Sequence, residues 1–199
     1  MSEFSGEFSN KVALVTGSSS GIGEAIARPL SALGASVVIN SARSVEAGTR
    51  IAAELGKVAF YVQADISDKA AGTWLLTKAA MPHLMKSDDG HVINITSIAG
   101  VRPVGSSIAY SMAKAALNQM TRLFAKSCAP VRVNAVAPGL VETPWTKDWQ
   151  AQHEAVKARA PLKRSATPDD CVEATLGLLR SRYATGQIFV VDGGLSLTI

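Results

Sequence analysis

The chain has 199 residues, enough for one substantial hydrophobic core and too few for a separate catalytic domain beside it. With 47% hydrophobic residues, 18% charged residues and 16 glycines it reads as a soluble globular protein, which excludes the disordered and fibrous classes. The net charge of +4 is scattered rather than gathered in a stripe, which argues against a nucleic-acid partner while suiting a small polyanionic ligand.

Residues 1–10, rich in Ser, Glu and Phe, read as a flexible arm, and residues 11–199 as a single domain. The first β-branched run, Val12 to Val15, predicts a buried strand. It leads straight into Thr16-Gly17-Ser18-Ser19-Ser20-Gly21-Ile22-Gly23, after which a helical pattern spans Gly23 to Leu33. In such a strand, loop and helix, glycines let the backbone turn and approach a pyrophosphate, and the free N–H groups of the helix start present partial positive charge to it. A Walker A loop is excluded because Ile22 and Gly23, not Lys and Ser/Thr, follow Gly21. Pro29 falls inside this helix, where its ring removes a backbone hydrogen bond and predicts a kink between Ala25 and Pro29.

Further strands are predicted at Val37 to Ile39, Phe60 to Val62, Val92 to Ile95, Val131 to Val136 and Ile188 to Val191. Ala- and Leu-rich helical segments lie between them, including Trp74 to Met85 and Tyr110 to Lys126. Alternating strands and helices imply an α/β fold, a Rossmann-like doubly wound parallel sheet with helices on both faces and ligands beyond the carboxyl ends of the strands. Ser97 stands just past one strand, and Tyr110 and Lys114, four apart at a helix start, share one helical face. Residues 142–168, with three prolines and two tryptophans, suit a short helical lid over a pocket.

Cys128 and Cys171 form no CxxC pair and no His stands at ligand spacing, so no metal site or disulfide framework is expected. No apolar run approaches the roughly 20 residues of a membrane helix, and the start of the chain lacks the apolar centre of a secretory signal, which makes the cytoplasm the expected location. His83, His91 and His153 read as packing or surface residues.

The Gly-x-x-x-Gly-x-Gly loop, Ser97, the Tyr110-x-x-x-Lys114 pair and Asn134-Ala135-Val136-Ala137-Pro138-Gly139 together resemble the classical short-chain dehydrogenase/reductase family over nearly the whole chain. The resemblance implies an NAD(P)-dependent oxidoreductase of the carbonyl reductase or alcohol dehydrogenase type, acting on a small carbonyl or alcohol. Tyr110 would be the general acid or base, assisted by the ammonium of Lys114, and Ser97 would hydrogen-bond the substrate oxygen. Gly17, Ser19, Ser20, Gly21, Ile22 and Gly23 would hold the pyrophosphate. Asp65 and Ile66 would face the adenine, Tyr110 and Lys114 the nicotinamide ribose side, and Pro138, Gly139, Val141 and Thr143 the nicotinamide. In a dinucleotide fold the residues about 20 positions past the loop select the ribose. Here Asn40-Ser41-Ala42-Arg43-Ser44 offers a guanidinium and no acid, favouring NADP over NAD. The family commonly self-associates, so a homodimer or homotetramer is expected, with no membrane partner.

The resemblance breaks between Asp68 and Gly72, where the family has a helix, a central strand and a further helix start carrying a catalytic Asn. Lys69 stands at the position of that Asn. A lost inner strand would leave unpaired backbone groups, so the sequence reads as two pieces joined across an omitted segment, a reading that a continuous chain of normal geometry from Asp68 to Gly72 would defeat. Two alternatives to an enzyme are a nucleotide-binding sensor or scaffold without turnover, and an oligomeric structural protein with a vestigial site.

Overall fold

A computed structural model describes residues 6–56, 58–66 and 69–198, with the side chains of 69–71 outside the description. The contacts divide the chain into two compact units, the first made of residues 1–67 with Thr143–Trp145 and the second of residues 68–142 and 146–199.

The first unit runs β1 (Val12–Val15), α1 (Gly21–Ala32), β2 (Ser36–Ser41), α2 (Val45–Leu55) and β3 (Ala59–Gln63). Its strands form a parallel sheet in the order β1-β2-β3, with Leu14 opposite Val38 and Ile39 opposite Tyr61. Central β2 is mostly buried, since it has a neighbour on each side and α1 and α2 against it. The α1 helix continues through Pro29 to Ala32, so the predicted kink does not interrupt it, and the Leu33 N–H closes back on the Pro29 carbonyl at 2.8 Å. The sequence reading left α2 unnamed. Gly48 inside it is explained by the Tyr61 ring, which lies where a Cβ would stand. Residues 6–10 are hydrogen-bonded turns, with the Phe8 N–H donating to the Leu33 carbonyl at 2.8 Å.

The second unit runs α3 (Lys69–Leu84), β4 (His91–Ile95), α4 (Ile108–Ser127), β5 (Arg132–Pro138), α5 (Gln150–Arg159), α6 (Pro168–Arg180) and β6 (Ile188–Val191). Its sheet is also parallel, in the order β4-β5-β6, with Ile95 opposite Val136 and Val136 opposite Phe189. Every residue of β5 is buried, because the strand is paired on both edges and lies against α4 and α6. The α5 helix occupies the segment predicted as a lid, and none of its residues is buried.

Both units therefore have the parallel α/β build that the sequence predicts. Among the described residues β1 pairs only with β2 and β4 only with β5, so each sheet ends on an apolar strand with one unpaired edge. In chain order the expected missing segment falls between β3 and β4. Residues 67 and 68 at its junction lie outside the described residues, as does the continuity test there. No described helix is long and apolar enough to cross a membrane.

Candidate active site

In the first unit the sharp exit from β1 is built by backbone geometry. Gly21 sits at φ +57°, in the left-handed region that favours glycine, and a Cβ on Gly23 would stand 2.5 Å from the Gly17 carbonyl oxygen. Ser20 is the extended N-cap of α1, yet its side chain makes no capping bond to the first turn. The only acid in that turn, Glu24, is held by Arg28 at 2.7 Å, and Arg28 is also held by Glu54 at 2.7 Å. The Arg28 guanidinium is pushed above its ordinary pKa first by the Glu54 bond and then by Glu24, so the carboxylate nearest the helix start is neutralised by its own neighbour.

The structure gathers Gly17, Ser19, Ser20, Gly21, Ile22 and Gly23 in this turn and sets Thr143 beside it, 3.6 Å from where a Gly21 Cβ would be. Arg43 is exposed just past β2, and Asp65 and Ile66 follow β3, Asp65 exposed and Ile66 half-buried. Two residues outside the predicted set tie the loop down: Ser18, whose hydroxyl donates to the Val15 carbonyl at 2.6 Å, and Asn40, whose backbone N–H donates to that hydroxyl at 3.0 Å. Both are buried.

In the second unit Ser97 lies just past β4, where the Thr96 N–H and hydroxyl both reach the Val136 carbonyl. The buried Ser97 hydroxyl accepts from the Ala99 N–H at 3.1 Å, capping a short 3-10 turn. Helix α4 starts on Ser107, whose side chain accepts from the Tyr110 N–H at 3.2 Å. Lys114 follows one turn later: its Nζ donates to the Ile95 carbonyl at 2.9 Å and lies 5.7 Å from the centroid of the Tyr110 ring. Burial lowers the Lys114 ammonium from its ordinary pKa.

Gly100 and Asn118 complete this arrangement. A Cβ on Gly100 would stand 2.6 Å from the Lys114 backbone, and the Asn118 amide donates to the Gly100 carbonyl at 3.0 Å, drawing the turn after Ser97 onto α4. Neither was predicted, although Gly100 closes the Ser97-Ile98-Ala99-Gly100 stretch.

Pro138 ends β5, the Gly139 N–H donates to the Val191 carbonyl at 2.9 Å, and buried Val141 bridges to Ala166. These three belong to the second unit and Thr143 to the first. His91 Nε2 lies 3.0 Å from the Asn134 amide and His153 Nδ1 2.7 Å from the Ser165 hydroxyl, packing roles remote from proton transfer to a substrate. A cavity of about 850 Å³ between α6 and the residues around β6 is lined by none of Ser97, Tyr110 and Lys114. No group of three or more potential metal ligands occurs among the described residues.

Two family models match the chain: one described as short chain dehydrogenase over residues 11–72 and one as Enoyl-(Acyl carrier protein) reductase over 69–196. They meet at the junction where the sequence pattern breaks. A protein of Streptomyces violaceoruber named as ketoacyl reductase 2 of the granaticin polyketide synthase is 43% identical over 240 positions, covering 94% of this chain and 96% of its own. Since 94% of 199 residues is about 187, roughly 50 of those 240 positions have no counterpart here. The 3-oxoacyl-[acyl-carrier-protein] reductase of Synechocystis is 33% identical, covering 93% of this chain and 96% of its own. A solved NAD(P)-dependent gluconate 5-dehydrogenase of Beutenbergia cavernae, described with NADP bound at low occupancy, superposes with a TM-score of 0.85 at 27% identity, covering 98% of this chain and all of the other. With a parallel α/β frame, a glycine-rich turn into a helix and full-length relatives of this kind, the chain belongs to the short-chain dehydrogenase/reductase family of oxidoreductases.

Proposed function

We propose that the chain is an NADP(H)-dependent reductase of a ketone carbonyl, with Tyr110 as proton donor and 3-ketoacyl thioesters as the first substrate class to test. The observation that carries the reading is the Tyr110 and Lys114 pair on one face of α4, with the ammonium 5.7 Å from the phenol ring and the buried Ser97 anchored on the neighbouring turn. The names of the Streptomyces and Synechocystis relatives support the ketoacyl class. The uncapped start of α1 and the close approach of Gly23 to Gly17 fit a dinucleotide pyrophosphate, and the exposed Arg43, with no acid between residues 40 and 44, fits a 2′-phosphate. When bound, NADPH supplies the hydride.

The chain's own groups do the rest. As the carbonyl carbon is reduced, its oxygen becomes an alkoxide and takes the Tyr110 proton. Ser97 donates a hydrogen bond to that oxygen as charge develops, and Lys114 favours the phenolate left behind. Val141, Pro138, Gly139 and Thr143 are the proposed nicotinamide contacts, and Asp65 and Ile66 the adenine contacts. Residues 11–199 are proposed to act as one dinucleotide-binding domain with 142–168 as its lid. The exposed apolar residues Ile108, Met112 and Leu123 on α4 and Trp74 and Leu75 on α3 support self-association.

A second reading, nucleotide binding without turnover, is favoured by Lys69 in place of the family's Asn and by the roughly 50 missing positions. Titrating NADPH by fluorescence and then adding acetoacetyl thioesters and a panel of simple ketones separates the two. Oxidation of NADPH that disappears in Tyr110→Phe is the expected result. Tight NADPH binding with no oxidation across the panel would replace the enzyme reading by the binding one.

A further inference from the structure

We propose that Asn40 is a positioning residue that latches the nucleotide loop to the ends of β2 and β3; this rests on the dinucleotide reading given above. All four of its polar groups are spent within the first unit. Its backbone carbonyl accepts from the Ser18 N–H at 2.9 Å, and its N–H donates to the Ser18 hydroxyl at 3.0 Å. Its side-chain oxygen accepts from the Gly17 N–H at 3.4 Å, and its amide nitrogen donates to the Val62 and Ala64 carbonyls, each at 3.1 Å. Only 4% of the residue is exposed. The orientation of the carboxamide is fixed by chemistry, because the reverse would set its oxygen against two carbonyls and its NH₂ against an N–H.

The consequence is a division of labour at the end of β2. Asn40 consumes the N–H groups of Gly17 and Ser18, so the free N–H groups of the turn are those further on, where Ser20 caps α1 and Gly21 and Ile22 begin it. The same side chain holds Ala64, whose successor Asp65 is the proposed adenine contact. One amide thus sets the spacing between the pyrophosphate turn and the adenine end. It does so without choosing between the two cofactors, a choice that falls to Arg43 beyond it. No carboxylate can replace it: an Asp could accept from Gly17 but could not donate to Val62 and Ala64, and would face both carbonyls with a negative charge.

The test compares Asn40→Ala and Asn40→Asp with the parent chain, with Arg43→Ala as control. In the nucleotide-free protein, amide exchange at Gly17 is expected to speed up about tenfold in Asn40→Ala, which removes the acceptor of that N–H, and to change less in Asn40→Asp, which keeps an acceptor there. The dissociation constants of NADPH and NADH are both expected to rise about tenfold with their ratio held, and the KM for NADPH to rise while kcat at saturation stays within about threefold. Arg43→Ala is expected to weaken NADPH alone. Unchanged exchange at Gly17 in Asn40→Ala, or a gain in NADH affinity at the expense of NADPH, would overturn the latch. Should these variants fail to fold, Ser18→Ala, which removes the acceptor of the Asn40 N–H, carries the affinity readout together with faster exchange at the Asn40 amide. If the parent chain binds neither nucleotide, the dinucleotide reading fails, while the exchange rates still decide the latch.

Discussion

Strands β1 and β5 both lie in parallel sheets and are followed by a glycine-containing turn, and they end in opposite environments. β5 has β4 on one edge and β6 on the other, and all seven of its residues are buried. β1 has only β2, and Val12 and Leu14 are 74% and 47% exposed. The wholly apolar strand is the exposed one and the strand carrying Arg132 and Asn134 the buried one, so the second neighbour and not apolarity decides burial. A strand of the VALV type is core only when something pairs and covers it.

The proposed chemistry lies on the closed side of this comparison, since α4 packs on β5. The largest effect is expected there. Tyr110→Phe should lower turnover about a thousandfold, the scale of a lost general acid, while the NADPH dissociation constant and the unfolding midpoint stay near those of the parent. Equal losses of turnover and cofactor affinity would show that the phenol holds the nucleotide rather than moving a proton.

At the far end of the same sheet, His91 begins β4 opposite Arg132 of β5. Burial first, and the nearby Arg132 charge second, push its pKa down to about 4. The neutral ring accepts from the Asn134 amide, and a proton on Nε2 would turn that contact into donor against donor. Because the unfolded chain binds this proton near pH 6.5 and the folded one only near 4, the unfolded state holds more protons in between. Stability is therefore full above about pH 6.5 and falls as the pH drops toward 4. Urea unfolding at pH 7 and pH 4.5 should differ through this group by about 2 to 3 kcal/mol, and His91→Asn should flatten that part of the profile.

The open edge itself is tested by truncation. Val133→Ala in β5 should cost about 2 kcal/mol, and Leu14→Ala in β1 less than about 0.5 kcal/mol. A chimera carrying the extra positions of the Streptomyces relative between Asp68 and Lys69 sharpens the contrast. There Leu14→Ala should become as costly as Val133→Ala. If Leu14→Ala is already that costly in the present chain, the β1 edge is covered in solution.

All six strands were legible in the sequence, with ends shifted by a residue or two, because short β-branched runs bounded by turns carry the signal locally. Tyr110 and Lys114 could be placed on one face because the four-residue interval is itself helical geometry. Asn40 and Asn118 could not be found in this way. Each acts by donating to carbonyls distant along the chain, at Val62 and Ala64 or at Gly100, and nothing in the residues adjoining an Asn announces such a partner. At Pro29 the helix continues to Ala32 and closes beyond the ring, with tertiary contacts of α1 on β1, β2 and α2 holding it.

The smallest predicted effect contrasts the starts of two helices. α6 begins with a full capping box: the Thr167 hydroxyl accepts from the Asp170 N–H, and the Asp170 carboxylate accepts from the Thr167 N–H at 2.6 Å while Arg164 holds it. The Arg164 bond, above all, keeps that carboxyl well below the usual range, so the box stays intact under mild acid. α1 begins on Ser20, whose hydroxyl caps nothing. Thr167→Ala should therefore cost about 1 kcal/mol of stability, whereas Ser20→Ala should change stability by less than about 0.5 kcal/mol. The Ser20 hydroxyl is proposed to serve the cofactor instead, so Ser20→Ala should weaken NADPH binding a fewfold at unchanged unfolding midpoint, as followed by fluorescence titration and urea unfolding on the same preparation. A Ser20→Ala protein that loses stability and binds NADPH normally would assign the hydroxyl to the helix, and the open start of α1 would then cease to support a phosphate site.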